Sequence, residues 1–184
     1  MATSPSSIAP HTLAFLRDLK RNNNKYWFEK NKSRFIAAQD NARAFVDALI
    51  ERMKKHDRIA TESGKESLMR IYRDLRFAKD KAPYHTRFDG GISRVKPELR
   101  GGYYIHLEPG ASHIACGFFG PEPADLKRIR VDILHDHATW EKLLKSKAIK
   151  GNFGALSGEQ LTNAPKGFPK DHPADGLLRH KQFL

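Results

Sequence analysis

Between Arg70 and His85 the chain reads R-I-Y-R-D-L-R-F-A-K-D-K-A-P-Y-H, its densest concentration of reactive side chains. Arg70, Arg73, Arg76, Lys79 and Lys81 stand among two carboxylates, Asp74 and Asp80, with Tyr72 and Tyr84 close by. Guanidinium groups present planar forks of donors that match phosphate and carboxylate. In an extended chain Arg70, Tyr72, Asp74 and Arg76 share one face and Arg73 joins Ile71, Leu75 and Phe77 on the other. The expected chemistry is an anion clamp lined by Arg70, Arg73, Asp74, Arg76, Lys79, Lys81 and Tyr84, with Asp74 orienting a guanidinium. The same residues permit two other readings. Asp74 or His85 is a candidate general base for phosphoester or acyl hydrolysis, with the arginines steadying developing negative charge. Alternatively, the two aspartates pair with Arg73, Arg76 or Lys79 and only pin the loop.

Two further groupings carry donor atoms. If Pro109-Gly110 forms a tight turn, His106 falls opposite His113 and Glu108 lies two residues along the same face, a three-ligand set of the kind zinc takes. An exposed polar sheet face is the alternative. His135-Asp136-His137 reads as a helix end, where a histidine complements the dipole, with metal ligation or phosphate contact as the alternative. The sequence lacks a Walker loop, a dinucleotide fingerprint, a catalytic-serine elbow and a zinc-protease motif, and no cofactor is implied. Gly90-Gly91 reads as a turn.

The elements that position these groups follow from periodicity. Leu13, Leu16 and Leu19 give one face of a helix over 11–21, which Asn22, Asn23 and Asn24 break. Phe28, Phe35, Ala42 and Leu49 recur every seven residues, with Ala38, Phe45 and Met53 between them. That stripe predicts one helix over about 25–55, roughly 45 Å long. Residues 57–66 read as loop and 68–77 as extended chain. The runs around Tyr103–Glu108 and Ser112–Phe119 read as a β-hairpin. A helix begins at Pro121-Glu122-Pro123 with Leu126, Ile129 and Ile133, and a short one surrounds Trp140. From Gly151 onward the chain is loop-rich, with a last helical turn over 173–180. The expected architecture is a single α+β domain over 11–184 behind a flexible lead over 1–10. In it an antiparallel sheet built from residues 70–120 packs on the long helix.

The 184 residues carry 33 Lys and Arg against 21 Asp and Glu, a formal charge of +12. That field favours anionic partners: small phosphate-bearing molecules, acidic surfaces or nucleic-acid backbone. No helix-turn-helix, zinc-finger or RNA-recognition signature accompanies it, so nucleic-acid contact would be through the backbone. Cys116 is the only cysteine, which excludes an internal disulfide and a cysteine-rich zinc cage. No apolar run is long enough to span a bilayer and no signal peptide is recognisable, so a cytoplasmic protein is expected.

The run from Arg70 to Tyr84 closely resembles the signature of the domain of unknown function 2461 family. Asn23-Asn24 with Trp27-Phe28, Tyr103-Tyr104 with His106, Glu108 and Pro109, and Pro165-Lys166-Gly167-Phe168 ahead of His172-Pro173 follow in the family's order. The resemblance implies no established activity. Ala78 stands where serine is common in the family and His85 where lysine is common. The resemblance also implies that relatives continue beyond the position of Leu184.

Overall fold

The computed structural model describes residues 7–184; of the expected flexible lead, residues 1–6 lie outside the described residues. The architecture is α+β, with helices and a three-stranded antiparallel sheet. Packing within the chain forms two compact units, one running to Ile114 and one from Ala115, and each has its own apolar core.

In the first unit α1 (Pro10–Arg21) starts on a proline, whose fixed φ suits the first helical position. It buries Thr12, Phe15, Leu16 and Leu19. Asn41 fastens its start, accepting from the Ala9 amide at 2.9 Å and the Thr12 hydroxyl at 2.7 Å. The helix expected over 25–55 is two helices, α2 (Lys25–Lys30) and α3 (Lys32–Met53). Asn31 divides them with φ −108° and ψ 21°, and its side-chain amide donates to the Trp27 carbonyl. A short polar side chain that bonds its own backbone offers the chain an exit from the helix, which a seven-residue apolar count does not register. The buried row of α3 is Phe35, Ala38, Ala42, Val46 and Ile50. Phe45, Leu49 and Met53 flank it half-buried.

The short α4 (Gly64–Ser67) lies in the stretch expected as loop, and the Ser63 side chain caps it. It sits tight against α3: the Gly64 amide donates to Asp47 at 2.6 Å, and a Cβ on Gly64 would strike the Arg43 carbonyl.

The sheet consists of β1 (Phe88–Ser93), β2 (Gly102–Leu107) and β3 (His113–Gly117), in that order. The hairpin appears where expected. The expected sheet origin near residue 70 does not: residues 70–87 form only one isolated bridge, Tyr72 with Tyr84. Gly90 and Gly91, read as a turn, lie inside β1. Leu68 pairs with Gly90, where a Cβ would press within 3.0 Å of Leu68 and Ser67 side-chain atoms. Phe88, Ile92, Ile105 and Leu107 face the helices and are buried. The alternate positions, including Asp89 and His106, occupy the opposite face, as the two-residue period of a strand requires.

The second unit contains α5 (Pro123–His135), α6 (His137–Leu144), α7 (Lys147–Phe153) and α8 (Asp175–Leu178), and residues of α5, α6 and α8 pack around a core of Ile133, Ala174, Leu178 and Phe183. α7 occupies part of the stretch read as loop; Ser146 caps it by accepting from the Ile149 amide. Arg130 is buried, and its guanidinium donates to the carbonyls of Leu178 and His180 at 2.8 and 3.1 Å, holding the end of α8. Phe118 and Phe183 exchange backbone hydrogen bonds.

His180 is also buried, and burial lowers its pKa below the ordinary 6.5. The unfolded chain therefore takes up a proton near pH 6.5 that the folded imidazole refuses. Stability is fully present above that pH and falls as pH drops toward the lowered folded value, by at most about 1.4 kcal/mol per pH unit for one proton. Urea unfolding at pH 7.5 and 5.5 is expected to show this loss in wild type and a smaller one in His180→Gln.

Candidate functional site

Residues 70–85 are organised by local bonds. The Arg73 amide donates to the Pro83 carbonyl at 3.0 Å and the His85 amide to the Ile71 carbonyl at 2.7 Å, framing the Tyr72–Tyr84 bridge. Arg73 bonds Asp80 at 2.7 Å and the Ala82 carbonyl at 2.8 Å. The Ala82 amide and then Arg73 hold the Asp80 carboxyl below its usual range. Arg76 grips Asp74 through Nε and its terminal amino group, lowering the pKa of Asp74. Lys81 donates to the Leu75 carbonyl. The extended strand that would align Arg70, Tyr72, Asp74 and Arg76 is therefore absent here. Asp74 orients Arg76 alone, while Arg70 and Lys79 are exposed.

Tyr84 belongs to the core. Its ring stacks on Phe28 with centroids 3.9 Å apart and planes 13° from parallel, and burial pushes its phenol pKa up. Asn23 clamps the same residue's backbone from both sides: its Nδ2 donates to the Tyr84 carbonyl at 2.8 Å, and its Oδ1 accepts from the Tyr84 amide at 3.1 Å. One side chain thus completes a backbone donor and acceptor that the interrupted strand leaves without a ladder.

Just after this anchor the chain enters β1, and the polar face of the sheet gathers a second cluster. Asp89, 8% exposed, accepts from Arg87 Nε at 2.6 Å. Its other oxygen lies 2.8 Å from His106 Nδ1, an ion-pair distance off the direct hydrogen-bond line. His106 Nε2 meets Glu108 at 3.1 Å, and Glu108 in turn accepts from Lys20 at 3.3 Å. His106 first, then Lys20, keeps the Glu108 carboxyl below its ordinary range, while burial works in the opposite direction. Tyr104 lies against Asp89 and Arg87, and burial followed by Asp89 raises its pKa. His85 is half-buried; burial, then the Arg87 charge, lower its pKa from 6.5.

The hairpin places His106 and His113 together, with rings 4.6 Å apart and 21° from parallel. They stack, and Glu108 is engaged by Lys20. Among the described residues no group of three His, Cys, Asp or Glu side chains is placed to hold a metal ion. His113 uses Nδ1 on the Ala111 carbonyl. Gly91 pairs with Tyr104, and a Cβ there would meet nothing within 4 Å, which leaves the middle of the face open. Beside Glu108 a depression of about 380 Å³ is lined by Arg17, Lys20, Arg21, Pro109 and Gly110. His135 bonds its own helix at Val131, and Asp136 caps α6 through the Thr139 amide.

Arg87, Asp89 and Tyr104 escaped the sequence reading. The available signal was alternation: Arg87-x-Asp89 and Tyr104-x-His106-x-Glu108 each place polar groups on one strand face.

Asp89→Asn is expected to lower stability by about 1–3 kcal/mol, since a buried amide nitrogen would then confront the Arg87 Nε–H. Asp74→Asn, at an exposed carboxylate, is expected to leave stability unchanged. Urea unfolding of the two variants checks the contrast.

No curated protein matches the chain, and no solved structure does. A family model described as conserved hypothetical protein (DUF2461) matches residues 11–184. The chain therefore belongs to the DUF2461 family of conserved hypothetical proteins.

Proposed function

We propose that this protein binds a small phosphate- or carboxylate-bearing ligand on the polar face of β1 and β2, with Arg87 as the anion-gripping fork. The observation that carries this reading is the Arg87–Asp89 bond. A buried carboxylate takes Nε and fixes the plane of the guanidinium, while the side chain stays 38% exposed. An oriented fork loses less freedom on binding than a free one, and its remaining N–H groups match two oxygens of a phosphate or carboxylate. His113 and Tyr104 border the open position at Gly91. The cations around the depression at Glu108 extend the attraction toward α1. Arg73 and Arg76, expected among the anion ligands, hold carboxylates of their own, which favours the adjoining sheet face for this role. A cytoplasmic setting accords with a chain whose only cysteine is Cys116; no described helix is long and apolar enough to cross a membrane.

A hydrolytic reading has one observation in its favour. Burial and Arg87 hold the His85 imidazole neutral to a lower pH than usual, which suits a general base beside an anion-stabilising arginine. Any phosphoester hydrolysis resting on His85 would decline as pH falls through that lowered value and would vanish in His85→Gln.

Calorimetry with inorganic phosphate, acetate and a phosphomonoester tests the binding reading. Arg87→Lys keeps a charge opposite Asp89 but loses the fork, and it is expected to weaken binding about ten- to hundredfold. Arg76→Ala is expected to bind as wild type does. Equal affinity for wild type and Arg87→Lys would overturn the assignment.

A further inference from the structure

The loop between Arg73 and Ala82 displays a side chain that the fold leaves without packing. Phe77 is 94% exposed, although burying a phenylalanine is worth about 1.5–3 kcal/mol. Its setting is not slack. Arg73 bridges to Asp80 and the Ala82 carbonyl across the base of the loop, and the Ala82 amide donates to Asp80 at 2.9 Å. Lys81 reaches the Leu75 carbonyl at 3.1 Å, and the Arg76 amide donates to Asp74 at 3.1 Å. Both aspartates of the loop are consumed in these bonds. Lys79 stands exposed two residues beyond the ring.

We propose that this loop is a contact site for single-stranded nucleic acid, in which Phe77 stacks on an unpaired base while Lys79 meets a flanking phosphate. A flat ring accepts the π-face of any base, and adjacent cations supply the backbone attraction that makes such binding independent of sequence. Charge complementarity selects this occupant, since the whole chain carries +12 and the loop's carboxylates are already engaged. A membrane surface is the poorer fit: one aromatic on a bonded loop lacks the continuous apolar face of an interfacial helix. The loop is separate from the Arg87–Asp89 cluster, so either site can fail without the other.

Fluorescence anisotropy with a labelled oligothymidylate of about twenty nucleotides, longer than one site of about 4–16, reads this contact directly. Wild type is expected to bind with an affinity that falls linearly in log–log form with salt. Phe77→Ala is expected to weaken binding about 5- to 150-fold, the worth of one stacked base, with an unchanged salt slope and an unchanged melting temperature. Lys79→Ala is expected to reduce the slope by about 0.7, the share of one phosphate on a single strand. Arg87→Lys is expected to leave oligonucleotide binding intact. The proposal falls if wild type does not bind the oligonucleotide, or if Phe77→Ala binds as tightly as wild type. It also falls if vesicles of phosphatidylserine and phosphatidylcholine, rather than the oligonucleotide, show the Phe77-dependent binding.

Discussion

The two-sided grip of Asn23 on the Tyr84 backbone, with the Tyr84 ring laid on Phe28, is the junction on which the first unit turns. Upstream of it the chain is a polar loop that makes its own hydrogen bonds. Downstream it becomes β1, with one face in the core and one face carrying Arg87 and Asp89. Phe28 itself lies among Phe15 and Phe35, so the aromatic core of the helices fixes the point where the strand begins. A single asparagine in the link between α1 and α2 thereby ties the helical layer to the polar face of the sheet. Asn22, Asn23 and Asn24 divide the work: Asn22 ends α1, Asn24 starts α2, and Asn23 reaches across to Tyr84.

The sequence showed much of this fold wherever one physical rule governs alone. Apolar spacing located α1, and strand alternation around a Pro-Gly turn located the hairpin, including the meeting of His106 and His113. It misled where a side chain competes with the backbone. Asn31 splits the expected long helix by bonding the Trp27 carbonyl, and Asp74 curls the end of the expected extended stretch by accepting the Arg76 amide. Gly90 was misleading for another reason. Its freedom serves close approach by Leu68 rather than a turn, and that approach comes from a segment 22 residues earlier that no local window contains.

The cluster around Asp89 was legible in composition but not in address. An excess of cations and a few carboxylates were evident, yet which cation meets which carboxylate depends on pairing across strands. Arg73 and Arg76 found partners within their own loop. Arg87 drew its partner from the buried face position at Asp89, and His106 arrived beside it only through the β1–β2 register. Charge neutralisation inside the loop and charge orientation on the sheet look alike in a string of letters. They differ in burial: Asp74 and Asp80 remain open to water, whereas Asp89 is enclosed and must be satisfied by the groups it holds.

The contrast between the loop and its anchor also has a kinetic side. Arg73 and Asp80 are 7 residues apart, whereas Asn23 and Tyr84 are 61 apart. Closing the longer span costs about 2 kcal/mol more in chain entropy. The loop can therefore acquire its shape within a short stretch of chain, early and repeatedly, while the asparagine grip awaits the collapse of the aromatic helices. The loop thus closes over a far shorter span than the grip that moors it.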